Sequence, residues 1–121
     1  MVQYNKLTKY KQEDFLEIEI IKYLQKNQQP TTRAQIAEYL VKNVGDIPNN
    51  SLKLVTSRKT GRQYRPFMNR LSFALTSLYK AGIIDHPKWG VTILTKFGTG
   101  IDTSDEKYIH ELVMKGWGVG S

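Results

Sequence analysis

The chain contains no cysteine, which excludes a disulfide framework, a thiolate metal site and a cysteine nucleophile. No apolar run approaches the roughly 18 residues of a membrane span, so a transmembrane helix is excluded too. The start, "MVQYNKLTKYKQEDF", carries charges but no apolar stretch of the kind a secretory signal needs. A cytoplasmic location is the resulting expectation. Glycine-rich phosphate loops are missing, since "TGRQ" holds one glycine and matches no nucleotide fingerprint. The most informative absence is of acid. Between Ile47 and Ile84 there is no Asp or Glu, yet Lys53, Arg58, Lys59, Arg62, Arg65, Arg70 and Lys80 all fall there.

That block accounts for the whole formal net charge of +7, because the remaining eleven basic and eleven acidic residues cancel. Like charges held together repel, and an acidic partner relieves the repulsion. The alternative is a solvated, mobile loop that keeps the protein soluble, so the surroundings of the block must arbitrate. At 121 residues, with 40% hydrophobic and 24% charged residues, the chain has the make-up of one globular domain with a modest core.

"QEDFLEIEIIKYLQKN" (Gln12 to Asn27) predicts a first helix with Glu13 and Asp14 in its first turn, where the helix dipole favours acids. Leu16, Ile20, Ile21 and Leu24 form its apolar stripe. Pro30 interrupts, and Thr32 followed by Gln35 is a capping box that opens a second helix. Ile36, Ala37, Leu40, Val41 and Val44 are its buried face, and Gly45 its terminator. The pair is a helix-turn-helix candidate. From Asp46 to Gln63 the pattern lapses into a long loop around Leu52, Leu54 and Val55, and long ordered loops are more often functional than incidental.

The third helix is the clearest. Pro66 suits its first turn, and Phe67, Ala74, Leu75 and Leu78 fall within about 60° of Leu71 around the helix axis. The opposite side carries Arg65, Asn69, Ser72, Phe73, Thr76 and Lys80, and Gly82 ends the run. Phe73 is the anomaly there, with packing under the loop or against a partner subunit favoured over base contact. "IIDHPKWGVTILTKFG" predicts a small hairpin, with Pro87 putting its first arm at an edge. One more helix is expected around Asp105 to Met114, followed by a frayed "GWGVGS". No internal repeat is present. The expected fold class is mainly α with a small β-hairpin, in the order of a winged helix-turn-helix. That domain spans residues 1–100, ahead of a C-terminal helix and flexible tail over 101–121.

"NRLSFALTSLYKAGIIDHPKWGVTILTKFG" resembles the end of the Mrr N-terminal winged-helix domain. The residues that carry the likeness are Asn69, Arg70, Phe73, Ala74, Leu78, Lys80, Ala81, Gly82, Ile83, Pro87, Gly90, Val91, Leu94, Thr95 and Gly98. Thr60 and Gly61 are similar to a Ser-Gly that precedes the Asn-Arg pair in that family. The resemblance implies a DNA-binding domain that stands ahead of a nuclease in restriction enzymes attacking modified DNA, or occurs without one. Three positions depart from the family. Phe73 replaces a usual Trp, Trp89 stands where the wing has a basic residue, and the loop before the third helix is basic where the family tends to be acidic.

A nuclease of that family uses an Asp and a Glu-x-Lys on adjacent strands to hold a divalent metal. Asp102, Asp105, Glu106 and Lys107 are the nearest candidates, with Glu and Lys adjacent and on a helical pattern. His86, expected at the wing surface, and His110, expected partly buried, lie far apart. No catalytic residue, metal or cofactor is therefore expected, and any nuclease activity would lie in a domain outside this chain.

The expected partner is double-stranded DNA, with no membrane involved and with a homodimer or a linked nuclease as further possibilities. Arg62 and Arg65, placed at the start of the third helix, are base-contact candidates together with Asn69 and Thr76. Arginine matches guanine and asparagine matches adenine bidentately. Lys53, Arg58, Lys59, Ser72, Lys80, Lys88 and Trp89 are the backbone candidates. For Trp89, packing over the wing base is favoured over contact with sugar and phosphate. Arg70 is expected to bridge to an acid, Asp85 being the candidate. A winged helix that uses its basic face on an acidic protein is the alternative reading.

Overall fold

The computed structural model describes residues 3–118. Its first helix, α1 (Lys9–Lys26), starts where the Thr8 hydroxyl accepts the Lys11 N–H at 3.4 Å. That start lies earlier than the charge pattern suggests, so Glu13 and Asp14 sit in the second turn and are free for other partners. Leu16, Ile20, Ile21 and Leu24 are buried as their spacing predicts. Each such side chain contributes about 1.5–3 kcal/mol relative to exposure.

The capping box forms. Thr32 Oγ1 accepts the Gln35 N–H at 3.2 Å, and Gln35 Oε1 accepts the Thr32 N–H at 3.0 Å. It opens α2 (Arg33–Asn43), which buries Ile36, Ala37, Leu40 and Val41. The helix ends at Asn43, with Gly45 just past the C-cap; Val44, expected on the buried face, is that extended C-cap and is only partly buried. The same Thr31–Thr32 pair is also a short strand, β1, which the capping signal concealed.

The stretch expected to be a loop contains a second hairpin. β2 (Val55–Thr56) pairs antiparallel with β3 (Gln63–Tyr64), and all four positions are exposed. Two-residue strands with no buried face give no alternation for a sequence reading to detect. The chain then enters α3 (Pro66–Lys80) with Pro66 at its first turn. Phe67, Leu71, Ala74, Leu75 and Leu78 are all buried against α1 and α2. Gly82, at φ +78°, makes the reversal after it, a conformation a side-chain-bearing residue adopts only with strain.

The wing follows as β4 (Ile84–Asp85) and β5 (Val91–Leu94), paired Ile84↔Leu94 and Asp85↔Ile93. β1 adds on the other side of β5, giving the order β1-β5-β4. β4 is an edge strand, and Pro87 lies beyond it in the turn, where it takes no ladder hydrogen bond. A one-turn helix, α4 (Lys96–Thr99), is capped by Thr95, whose hydroxyl also donates to the Gly82 carbonyl at 2.7 Å. Finally α5 (Glu106–Gly116), with Asp105 as its N-cap, buries Ile109 and Val113 and packs on α1 and α3. The order helix, helix, helix, wing is that of a winged helix-turn-helix. Of the tail expected to fray, Trp117 is anchored by its indole N–H to Ser77 Oγ at 2.9 Å. Residues 119–121 lie outside the described residues.

Candidate nucleic-acid interface

The outward face of α3 carries Asn69 and Thr76, both exposed, with Arg65 as the N-cap residue just before it. The Asn69 amide makes no hydrogen bond among the described residues, leaving its donor and acceptor pair available. Thr76 donates back to the Ser72 carbonyl at 3.0 Å and keeps its lone pairs outward. Arg65 donates through Nε to the Leu52 carbonyl at 3.0 Å, which fixes the stem and leaves the terminal amino groups free. Arg62, placed at the helix start by sequence, instead sits at the end of the β2–β3 turn. Its N–H donates to Thr60 Oγ1 at 3.2 Å, and its carbonyl accepts the Ser57 N–H at 2.8 Å. Arg62 therefore groups with Arg58 and Lys59 on a basic arm that immediately precedes α3.

Ser72 is engaged inside the protein. Its Oγ accepts a hydrogen bond from Arg33 Nη1 at 2.7 Å, across the helix-turn-helix. Arg33 went unnoticed in the sequence, although its place as the first residue after the capping box was a usable signal. Lys80 shares the angular face of Asn69, but roughly 16 Å further along the axis. Its ammonium lies 4.6 Å from the Trp117 ring centre, at the α5 end of the helix. The half of α3 that carries Asn69 and the end that carries Lys80 are thus separate places.

The wing turn exposes Lys88 and Trp89, with Gly90 at φ +79°. Trp89 is 99% exposed, so the expected packing over the wing base does not occur. The wing is instead seated by His86, whose ring stacks on Tyr79 of α3 at 5.1 Å. His86 Nδ1 also lies 3.1 Å from the Val91 carbonyl oxygen. His86 is exposed as expected, whereas His110 is exposed where partial burial was expected, with Nδ1 3.5 Å from Asp14.

Arg70 does form a structural bridge, but to Glu13 and not to Asp85. Asp85 accepts the His86 N–H at 2.8 Å, capping the wing turn. Phe73 is about half exposed and lies under the Arg70 guanidinium at 4.8 Å. It faces a cavity against α1 and α5, not the basic arm. Lys53, Arg58, Lys59, Arg62, Arg65 and Lys80 have no ion-pair partner among the described residues.

The acids near residue 102 are taken up by turns and caps. Asp102 accepts from the Ser104 N–H at 2.9 Å and its hydroxyl at 2.6 Å, which holds the carboxyl below its ordinary range. Asp105 caps α5. Among the described residues no group of three or more His, Cys, Asp or Glu is arranged to hold a metal ion.

The family model of the Mrr N-terminal domain matches residues 15–104. The chain belongs to that family. The matched segment takes in the helix-turn-helix, the basic arm, α3 and the wing of this Mrr N-terminal domain, and stops short of α5. The family model is that of an N-terminal domain and not of a nuclease. No curated protein and no solved structure matches the chain. Among the described residues no helix is long and apolar enough to cross a membrane.

Proposed function

We propose that this Mrr N-terminal domain is a double-stranded-DNA-binding module without catalytic activity of its own. It serves as the target-reading part of a restriction system or as a small regulator. The observation that carries this reading is the fate of the seven basic residues between Ile47 and Ile84. The protein neutralises Arg70 internally and leaves the other six without an acid. A chain that needed the charge only for its own scaffold has no use for six uncompensated cations beside an acid-free helix face.

In this reading the arm (Lys53, Arg58, Lys59 and Arg62) and the wing (Lys88 and Trp89) grip the backbone on either side of α3. Asn69, Thr76 and the free end of Arg65 reach base edges in the major groove. Arg33 holds Ser72 on the helix-turn-helix and adds a cation at the start of α2. Duplex DNA as the partner goes with a cytoplasmic location. A partner nuclease or a second copy supplies any cleavage and any second half-site.

The test is binding to a generic duplex across a salt series. About five phosphate contacts give a slope of log affinity against log salt near −4 to −5. Arg58→Ala and Lys59→Ala each lower that slope by about one, whereas Asn69→Ala changes sequence preference more than slope. No binding at low salt sinks the proposal. The exposed apolar side chains of the arm, Leu54, Val55 and Tyr64, favour a second reading in which the arm meets an acidic protein. Failure to bind DNA, with retained capture of an acidic polypeptide, selects it.

A further inference from the structure

A cavity of about 540 Å³ opens between α1, α3 and α5, on the flank of the recognition helix and away from the basic arm. Its walls are aromatic and mostly apolar, with Tyr10, Phe73 and Trp117 converging from three helical segments. All three rings are exposed large hydrophobics, at 70%, 48% and 45%. Exposed aromatic side chains gathered around one concavity mark a binding surface more often than scattered ones do.

At the floor is Glu17, 2% exposed and unused by anything in the DNA reading. Burial pushes its carboxyl up from the ordinary value of 4.5 to about 8, and the nearby Asp14 and Glu13 push in the same direction. One hydrogen bond, from the Ser77 hydroxyl, opposes the shift, while Ser77 Oγ itself accepts the Trp117 indole N–H. A carboxylate can accept about four hydrogen bonds, so Glu17 is left with open capacity toward the cavity.

The charge of the lining points to the kind of ligand. In a chain of net charge +7, this cavity carries three acids, Glu13, Asp14 and Glu17, against Lys9 and Arg70. Glu13 is taken by Arg70, and Asp14 faces His110 across 3.5 Å. The acid left without an ion-pair partner among the described residues is Glu17, and burial keeps it protonated at neutral pH. A cation seated beside that carboxyl favours its charged form and displaces the proton, and aromatic faces attract the same cation through their quadrupoles.

We propose that this cavity binds a small organic cation, an aromatic ammonium or amidinium, with its charged head on Glu17 and its body against Phe73 and Trp117. An amidinium presents paired N–H donors in the fork geometry a carboxylate accepts bidentately. The site goes beyond the DNA reading and does not depend on it.

Titration of the full chain with benzamidinium, followed by backbone amide NMR, tests this. Saturable shifts are expected in segments 9–17, 70–77 and 110–117, with neutral benzamide binding about tenfold more weakly or worse. Glu17→Gln is expected to weaken benzamidinium about tenfold while amide shifts elsewhere stay in place. Phe73→Ala, which alters a half-exposed ring, weakens it independently and keeps the test open should Glu17→Gln fail to fold. Affinity rises across roughly pH 6 to 9 as the bound proton of Glu17 is displaced. The groups facing Glu17 through that range are Lys9, Glu13 and Asp14 of α1, Arg70 of α3 and His110 of α5. Shifts confined to other surfaces, equal binding of benzamide, dissociation constants weaker than about 10 mM, or unchanged binding by both variants overturn the proposal.

Discussion

The guanidinium of Arg70 reaches from α3 to the Glu13 carboxylate on α1, and both side chains are largely buried, at 19% and 15% exposure. The same guanidinium covers the Phe73 ring. One arginine of the basic block is therefore a cross-brace between the two most extensively packed helices. Arg70→Ala removes the partner and leaves Glu13 half-solvated against an aromatic wall. We expect a loss of about 2–4 kcal/mol of stability, read from the urea midpoint. DNA affinity of the folded fraction is expected to change by less than that of Arg62→Ala.

Glu17 makes stability fall with pH. Its folded carboxyl holds the proton up to about 8, whereas the unfolded chain releases it near 4.5. The favourable contribution is complete below pH 4.5, declines as pH rises between these values, and is gone above about 8. Glu17→Gln removes that dependence. Its melting temperature is expected to exceed the wild type increasingly from pH 5 to 8, with a difference in slope of up to about 1 kcal/mol per pH unit. Parallel melting curves at pH 5, 7 and 9 decide the matter.

Trp89 touches nothing in the protein, so Trp89→Ala leaves the unfolding midpoint within about 0.5 kcal/mol of wild type. In the proposed complex the wing lies on DNA. Duplex addition then quenches or shifts the emission of Trp89, and Trp89→Ala abolishes most of that signal. A full response surviving in the variant assigns the signal to Trp117 and removes the wing from the interface.

Gly98 is a packing requirement. A Cβ there falls inside contact distance of the Ile83 carbonyl oxygen and 2.6 Å from Leu94 Cδ1. Gly98→Ala forces apart the joint between α3, the wing and α4. A loss of about 2–3 kcal/mol is expected in chemical denaturation.

What could be read without coordinates was local. The apolar faces of the three main helices, the Thr32–Gln35 box and Pro66 at the start of α3 are short-range signals, and each forms as its spacing predicts. Partners distant in the chain were not legible. Arg70 finds Glu13 at a separation of 57 positions, and Asp85, near in sequence, is occupied by its own turn. Phe73, roughly opposite the helix's core face, was recognisable as standing outside the main core. Its true neighbour is the wall made by α5, which no helical wheel of α3 contains. Trp89 misled because bulk in a turn suggests packing, whereas nothing in the wing reaches over it. Arg62 misled by one element, because the short β3 strand between it and Pro66 carries no periodic signature.

Thr31 and Thr32 stand at a junction with mechanical meaning. As β1 they are zipped to Val91 and Thr92 of the wing strand, and as the N-cap they start α2. Arg33, the next residue, clasps Ser72 on α3. Three consecutive residues thus link the wing, the second helix and α3 in series. The wing strand is thereby tied to α3 through polar contacts at the surface as well as through the apolar core. If the proposed complex forms, Thr31→Ala and Thr32→Ala are the substitutions expected to uncouple the wing from α3.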